Sequence, residues 1–235
     1  MSRRSLERRT ASWTAALCIA YGATAYMVAP EYWTLLNLFR GPSATEMVTR
    51  TPQGIAGDPI NVGLVATKAG IIHAFGVAKW DTADAVTLKT AIEIGESVLF
   101  DRPYPDAPVS RLLFEGRPQD LAFEKPVGDS ADQRHHVRLW MTDANGVDGR
   151  PLWLGSASFD RGVGLSHDTG AVTHHIGPNI DAERDLLIAD LFDAGMLVST
   201  TEIDGIGATK TGRNGGGDLY FTDGKAIVCV LQPLP

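Results

Sequence analysis

The sequence predicts an α+β domain, with a mixed or mainly antiparallel sheet and about three packing helices, preceded by one N-terminal transmembrane helix. Three observations carry this. An uncharged run of nineteen residues, Ala11 to Ala29, follows an arginine-rich head. From Arg111 onward most apolar residues fall in short alternating runs separated by turn residues, as in strands with tight connections. Helical three-to-four spacing is confined to a few stretches that do not alternate regularly with strands, which argues against a doubly wound α/β fold.

The N-terminal run reads as a membrane anchor. Nineteen residues rise about 28 Å as a helix, close to the thickness of a bilayer core. Trp13, Tyr26, Tyr32 and Trp33 lie near its ends, as an interfacial aromatic belt does. Arg3, Arg4, Arg8 and Arg9 precede it and predict a cytoplasmic N-terminus. A cleaved signal peptide shares these features, and Ala23-Thr24-Ala25 offers a small-x-small site, but the apolar run continues past it. A buried helix of a soluble protein is the third reading. Residues 1–40 are therefore expected to form a cytoplasmic basic head and anchor, 41–57 a linker rich in Gly, Pro, Ser and Thr, and 58–235 one folded domain.

Within that domain, Ile60–Val65 reads as a strand and Thr67–Phe75 as a helix ended by Gly76. Asp81–Asp84 supply caps for a second helix, with Leu88, Ala91, Ile92, Gly95, Val98 and Leu99 on one face. Three prolines in Arg102–Pro108 make a loop. Strands follow at Arg111–Glu115, Leu121–Glu124, Arg134–Trp140 and Pro151–Phe159, the last two joined by a hairpin loop holding Asn145-Gly146 and Asp148-Gly149. Ala171–Ile176 is another strand. Asp181 is the expected N-cap of a third helix, with Leu187, Leu191 and Ala194 facing inward and Gly195 closing it. Met196–Glu202, Asp218–Phe221 and Ala226–Leu231 complete the strands, the last two as a hairpin turning at Thr222-Asp223-Gly224.

Charge narrows the partners. The head carries +3 and the chain −7, leaving −10 on the remainder. An acidic domain of this kind is not a general nucleic-acid binder. Cys18 lies in the anchor and Cys229 in an apolar run, so the domain has one thiol, no internal disulfide, and an inert core cysteine.

The histidines are the most informative polar residues. Four stand as doublets on predicted strands, His135-His136 and His174-His175, and His167 lies in a loop between them. Strand alternation groups His135 with Val137 and Leu139, and His136 with Arg138 and Trp140. It also separates His174 from His175. His136 and His175, or their neighbours His135 and His174, are expected to approach one another across a sheet face near Asp120, Asp160 or Glu183. Zinc ligation by His136, His175, His167 and Asp160 or Asp120 is the alternative, though no close-spaced ligand signature supports it. A polar cluster satisfied by carboxylates is favoured, and no cofactor is expected. Arg117, with Arg134, Arg138 and Arg161, is suited to an anionic group, but Asp120 is expected to clamp Arg117 in a turn.

The glycine-rich run DGIGATKTGRNGGGD lacks the glycine that a Walker loop needs before its lysine, and reads as a long hairpin loop. No GxSxG elbow occurs, and Ser156 is mid-strand, where a nucleophile is poorly presented.

Several ordered segments resemble the LssY-type C-terminal domain family: SRLLFEGRPQDLAFEKPVG, RHHVRLW, GRPLWLGSASFDRGVGLS, THHIGPNIDAERDLLIADL and YFTDGKA, with DPINVGL resembling the family's beginning. The likeness covers roughly residues 55 to 232. It implies a bacterial membrane-associated protein, and the family takes its name from a type I secretion component. Some members join this domain to DedA-like segments or a lipid phosphatase module, neither of which appears in this chain. The resemblance assigns no catalytic residues. It does add weight to Arg117, Asp120, His135, His136, Asp160, His174, His175 and Glu183, which lie in its motifs.

The expected function is a single-pass protein of the bacterial inner membrane, anchored through residues 11–29, whose domain lies outside the cytoplasm. It would bind an envelope protein or an anionic lipid headgroup. One alternative is a hydrolase of envelope phosphoesters using a His/Asp cluster, which convergence of polar side chains in a deep pocket would favour. Another is a structural component of a secretion or transport assembly.

Overall fold

The computed structural model describes residues 3–40, 46–83, 111–128 and 133–234. The N-terminal helix is continuous: α1 (Arg3–Ala23), a π-helical segment (Thr24–Val28) and α2 (Ala29–Arg40). The widened segment has a local cause. Pro30 has no N–H to give the carbonyl four residues earlier, and its ring crowds that carbonyl. Ala29 N–H instead reaches back five residues to the Thr24 carbonyl. Arg9–Leu36, 28 residues, is long and apolar enough to cross a membrane, and only 6% of its most apolar window is buried within the protein. It is therefore not a core helix of the domain.

The domain is built on a mixed sheet. In chain order its strands are β3 (Val62–Val65), β4 (Asp81–Thr82), β7 (Leu121–Pro126), β8 (Arg134–Asn145), β9 (Pro151–Leu165), β10 (Val172–Ile176), β11 (Leu197–Asp204) and β14 (Lys225–Leu231). In space the order is β11-β14-β3-β9-β8-β7-β4, with β10 on the far half of β9. β14 and β3 run parallel, and the other pairs antiparallel. A smaller sheet, β2-β1-β5-β6, holds β1 (Val48–Arg50), β2 (Ala56–Pro59), β5 (Leu113–Phe114) and β6 (Arg117–Pro118). β12 (Thr211–Arg213) and β13 (Leu219–Phe221) form a separate hairpin.

One face of the large sheet packs on helices α3 (Lys68–Val77) and α4 (Ile180–Asp193). Val62, Leu64, Phe75, Phe123, Val137, Leu139, Trp153, Leu187 and Leu191 fill this core. The Phe75 and Phe123 rings stack at 4.2 Å. Trp153 is buried because its Nε1–H has a partner, donating to the Ala66 carbonyl at 3.0 Å. The opposite face meets the small sheet through Met47, Ile60, Leu112, Phe114 and Trp140. Between that apolar patch and β10 the face is polar.

Several expectations need correction. The stretch 41–57 is not all linker, because β1 and the first half of β2 fold from it and pair in the small sheet. Asp81 and Thr82 pair with Glu124 and Phe123 as an edge strand rather than capping a helix. The second helix and the loop at 102–108 lie outside the described residues. α3 runs through Gly76 to Val77. The N-cap of α4 is Asn179, whose side chain accepts from Ala182 N–H, whereas Asp181 Oδ2 accepts from Asp223 N–H. β13 pairs with β12 and not with β14. β14 is claimed on both edges, by β3 and β11, which leaves no place for β13.

Candidate functional site

Alternation along β8 places Arg134, His136 and Arg138 on one face, and register sets them opposite Asp160, Ser158 and Ser156 of β9. Glu124 of β7 lies across from His136. Asp58 enters from β2. None of these eight residues is more than 5% exposed. So dense a buried polar face is tolerable only where charges are paired and hydrogen-bonded.

The pairing is extensive. Arg134 donates through Nη1 to Glu124 Oε2 at 2.7 Å and through Nε to Asp160 Oδ2 at 3.1 Å. Arg138 Nη1 donates to Asp58 Oδ2 at 3.3 Å and lies 2.8 Å from His136 Nε2. Guanidinium nitrogens only donate, so Nε2 is the acceptor and the ring proton is assigned to Nδ1. Ser158 Oγ stands 2.9 Å from the same Nε2 and donates to Asp58 Oδ2 at 3.2 Å. His136 Nδ1 is 3.3 Å from Asp160 Oδ1, but off the line that a hydrogen bond requires. Among the described residues this buried nitrogen has no hydrogen-bond partner, and neither has Ser156 Oγ.

A cavity of about 370 Å³ opens on this face. Arg111, Arg134, His136, Arg138 and His174 line it with Asp58 and Asp160, and Asn214, Gly215 and Gly216 close it from the β12–β13 turn. Burial pushes the His174 imidazole below its ordinary value, with the Asp160 carboxylate opposing the shift. Burial acts to raise Asp160, but the His136 ring, then His174 and Arg134, hold its carboxyl well below the usual range. Burial also lowers Arg138, against the pull of Asp58 and Asp160, yet a guanidinium stays charged.

The ten residues singled out in the sequence fall into four groups. Arg134's neighbours His136, Arg138, Asp160 and His174 meet at the cavity. His135 is on the helix-facing side, where Nδ1 lies 2.6 Å from Glu183 Oε2 and the ring sits between Trp80 and Phe159. Arg117 and Asp120 are elsewhere: Arg117 Nη2 donates to the Met141 carbonyl at 2.6 Å, and Asp120 Oδ2 accepts from Met141 N–H at 2.8 Å. Arg117 and Asp120 are themselves 3.9 Å apart, a turn clamp. His167 and His175 gather instead around Asp218, whose Oδ1 is 2.8 Å from His175 Nδ1. The doublets therefore do not pair as expected: His136 and His174 share Asp160, while His135 and His175 go to separate carboxylates.

Asp58, Arg111, Ser158 and Asp218 were not foreseen. Ser158 follows from the same alternation as His136 and was legible. Asp58 and Asp218 lie in a supposed linker end and a glycine-rich run, where no periodicity marks them.

A family model described as LssY C-terminus matches residues 42–226. No curated protein and no solved structure matches the chain.

Proposed function

This chain belongs to the LssY C-terminus family, and from that premise we propose that its domain binds a small anionic group, a phosphate or carboxylate, in the cavity between the two sheets. The observation that carries this is the cavity wall itself, where Arg111, Arg134 and Arg138 stand together and His136 Nδ1 has only the poorly aligned Asp160 Oδ1, at 3.3 Å, beside it. A well-aligned acceptor on a ligand would improve on that contact. Arg111, Arg134 and Arg138 line the same wall and suit oxyanions, whose geometry matches the guanidinium fork. The volume lies within the range of about 300–1,000 Å³ common for small-ligand sites. Asp58 and Asp160 also line it, so a ligand that carries hydroxyl or amine donors beside its anionic group fits better than a bare anion.

We place the domain at the outer face of a bacterial inner membrane, tethered by Arg9–Leu36. The arginine-rich head that precedes this helix supports that orientation. The loop after β9 lies against the helix. Trp33 Nε1 donates to the Asp168 carbonyl at 3.2 Å, Tyr21 Oη donates to the Gly170 carbonyl, and Val172 N–H donates to Tyr26 Oη at 3.0 Å. Leu165 and Val172 flank the loop and are exposed. An anionic lipid headgroup is the ligand source that this arrangement favours. Titration of the full chain in detergent with glycerol phosphate tests the cavity reading.

One observation favours a hydrolase as the second reading. Ser158, His136 and Asp160 stand in the order hydroxyl, imidazole, carboxylate used for nucleophilic catalysis. Against it, Ser158 is fully buried and Arg138 donates to the same nitrogen that would take the serine proton. Phosphoester turnover lost on Ser158→Ala would establish it, and binding without turnover would dismiss it.

A further inference from the structure

We infer that His167, His175 and Asp218, none of which lines the anion cavity, form a separate binding site for a divalent transition-metal ion such as zinc. One ligand atom from each of the three residues lies within 4.8 Å of the others. Asp218 Oδ1 is 2.8 Å from His175 Nδ1 and 3.8 Å from His167 Nε2. A tetrahedral ion with bonds of about 2.0–2.1 Å separates its ligands by about 3.3 Å, so these distances straddle the required value. Rotation of the exposed His167 side chain closes the difference.

The surroundings hold the donors in place. Asp218 Oδ2 accepts from Ile176 N–H at 3.1 Å, which fixes the carboxylate and turns Oδ1 toward the histidines. Asn214 Oδ1 accepts from Asp218 N–H at 2.9 Å and from Gly216 N–H at 3.0 Å, setting the turn that carries the aspartate. His167 N–H donates to the Gly216 carbonyl at 2.9 Å, tying its loop to that turn. Two glycines make the approach possible. A Cβ on Gly217, whose φ is +85°, would stand 2.6 Å from His167 Cβ, and one on Gly164 would stand 2.4 Å from His175 Nε2.

The donor set selects the ion. Two imidazoles and one carboxylate suit zinc and its neighbours, whereas calcium and magnesium favour oxygen throughout. Three protein ligands, one of them on an exposed loop, leave a coordination position open to solvent. Arg161 Nη2 lies 3.5 Å from Asp218 Oδ1, with its side chain 55% exposed, and can swing into solvent as a dication takes its place. The loop bearing His167 is also the one that Tyr21, Tyr26 and Trp33 touch, so the ion would stiffen the junction of helix and domain.

The test uses the full chain in detergent, stripped with chelator and titrated with Co²⁺ as a spectroscopic probe, then with Zn²⁺ in competition. One equivalent of Co²⁺ with tetrahedral or five-coordinate d–d bands, displaced by Zn²⁺, is expected. His167→Ala, at an exposed position that leaves the fold intact, should weaken binding at least about tenfold, the lower end of losses seen even for outer partners. His175→Ala should abolish it, and His73→Ala on the exposed side of α3 should leave it unchanged. Absence of stoichiometric uptake would overturn the site, as would uptake indifferent to His167→Ala. Phosphate-ester titration of the stripped protein reads the cavity separately, so failure of one reading does not imply failure of the other.

Discussion

His174 and His175, adjacent on β10, face two different carboxylates: His174 lines the cavity beside Asp160, and His175 Nδ1 meets Asp218 Oδ1 at 2.8 Å. Alternation along β10 turns the two rings apart, and the turn from Asn214 to Asp218 brings the second carboxylate to His175. Two polar centres result, the cavity between the sheets and a cluster on the loop that touches the N-terminal helix.

Acid should destabilise the domain in two stages. His174 has its folded value below the ordinary 6.5, so the unfolded chain binds its proton first and stability falls as pH drops from about 6.5 toward the lowered value. Asp160 lies below the ordinary 3.8, so its contribution is complete above about 3.8 and is lost as pH falls further. Urea unfolding measured between pH 8 and pH 3 checks this, and His174→Asn should remove the earlier stage while leaving the later one.

Arg134→Met should cost about 3–5 kcal/mol, because it leaves Glu124 and Asp160 buried without their shared cation. Chemical denaturation of the single variant and of Arg134→Met with Glu124→Gln measures it. The double variant should be less destabilised than the sum of its parts, since the second change removes one of the stranded charges.

Asn179→Ala should cost about 0.5–2 kcal/mol through loss of the α4 cap to Ala182 N–H. Asp181→Ala should act differently, by freeing the 223–225 turn whose N–H it accepts. Hydrogen exchange separates the two, at the first turn of α4 for Asn179 and at Asp223 for Asp181.

The legible parts of this fold were those written in local periodicity. Asn145-Gly146 and Asp148-Gly149 mark the β8–β9 hairpin, and alternation assigns His135 and His136 to opposite faces. The remainder depends on distant pairing. Thr222-Asp223-Gly224 signals a turn, but only the occupancy of both edges of β14 by β3 and β11 decides that β13 is not its partner. Asp58 joins the cavity because β1 and β2 fold back over the sheet, and Gly- and Pro-rich composition at 41–57 reads as linker instead. Asp218 takes its place through the side chain of Asn214 and the backbone of Ile176, neither of which leaves a pattern in the chain.

An outward-facing domain is expected from the arginine-rich head. Protease added to spheroplasts should digest the domain while sparing a helix-sized N-terminal fragment. Full protection would reverse the topology and place the cavity in the cytoplasm.

The anion cavity itself is tested most directly by calorimetric titration of chelator-stripped full chain with glycerol phosphate. Saturable binding to one site is expected, weakened roughly tenfold by Arg111→Gln, an exposed residue on the cavity rim. Arg117→Gln, in the distant turn clamp, should leave it unchanged. No saturable heat, or equal affinity in the Arg111→Gln variant and the unaltered chain, would contradict an anion site in this cavity.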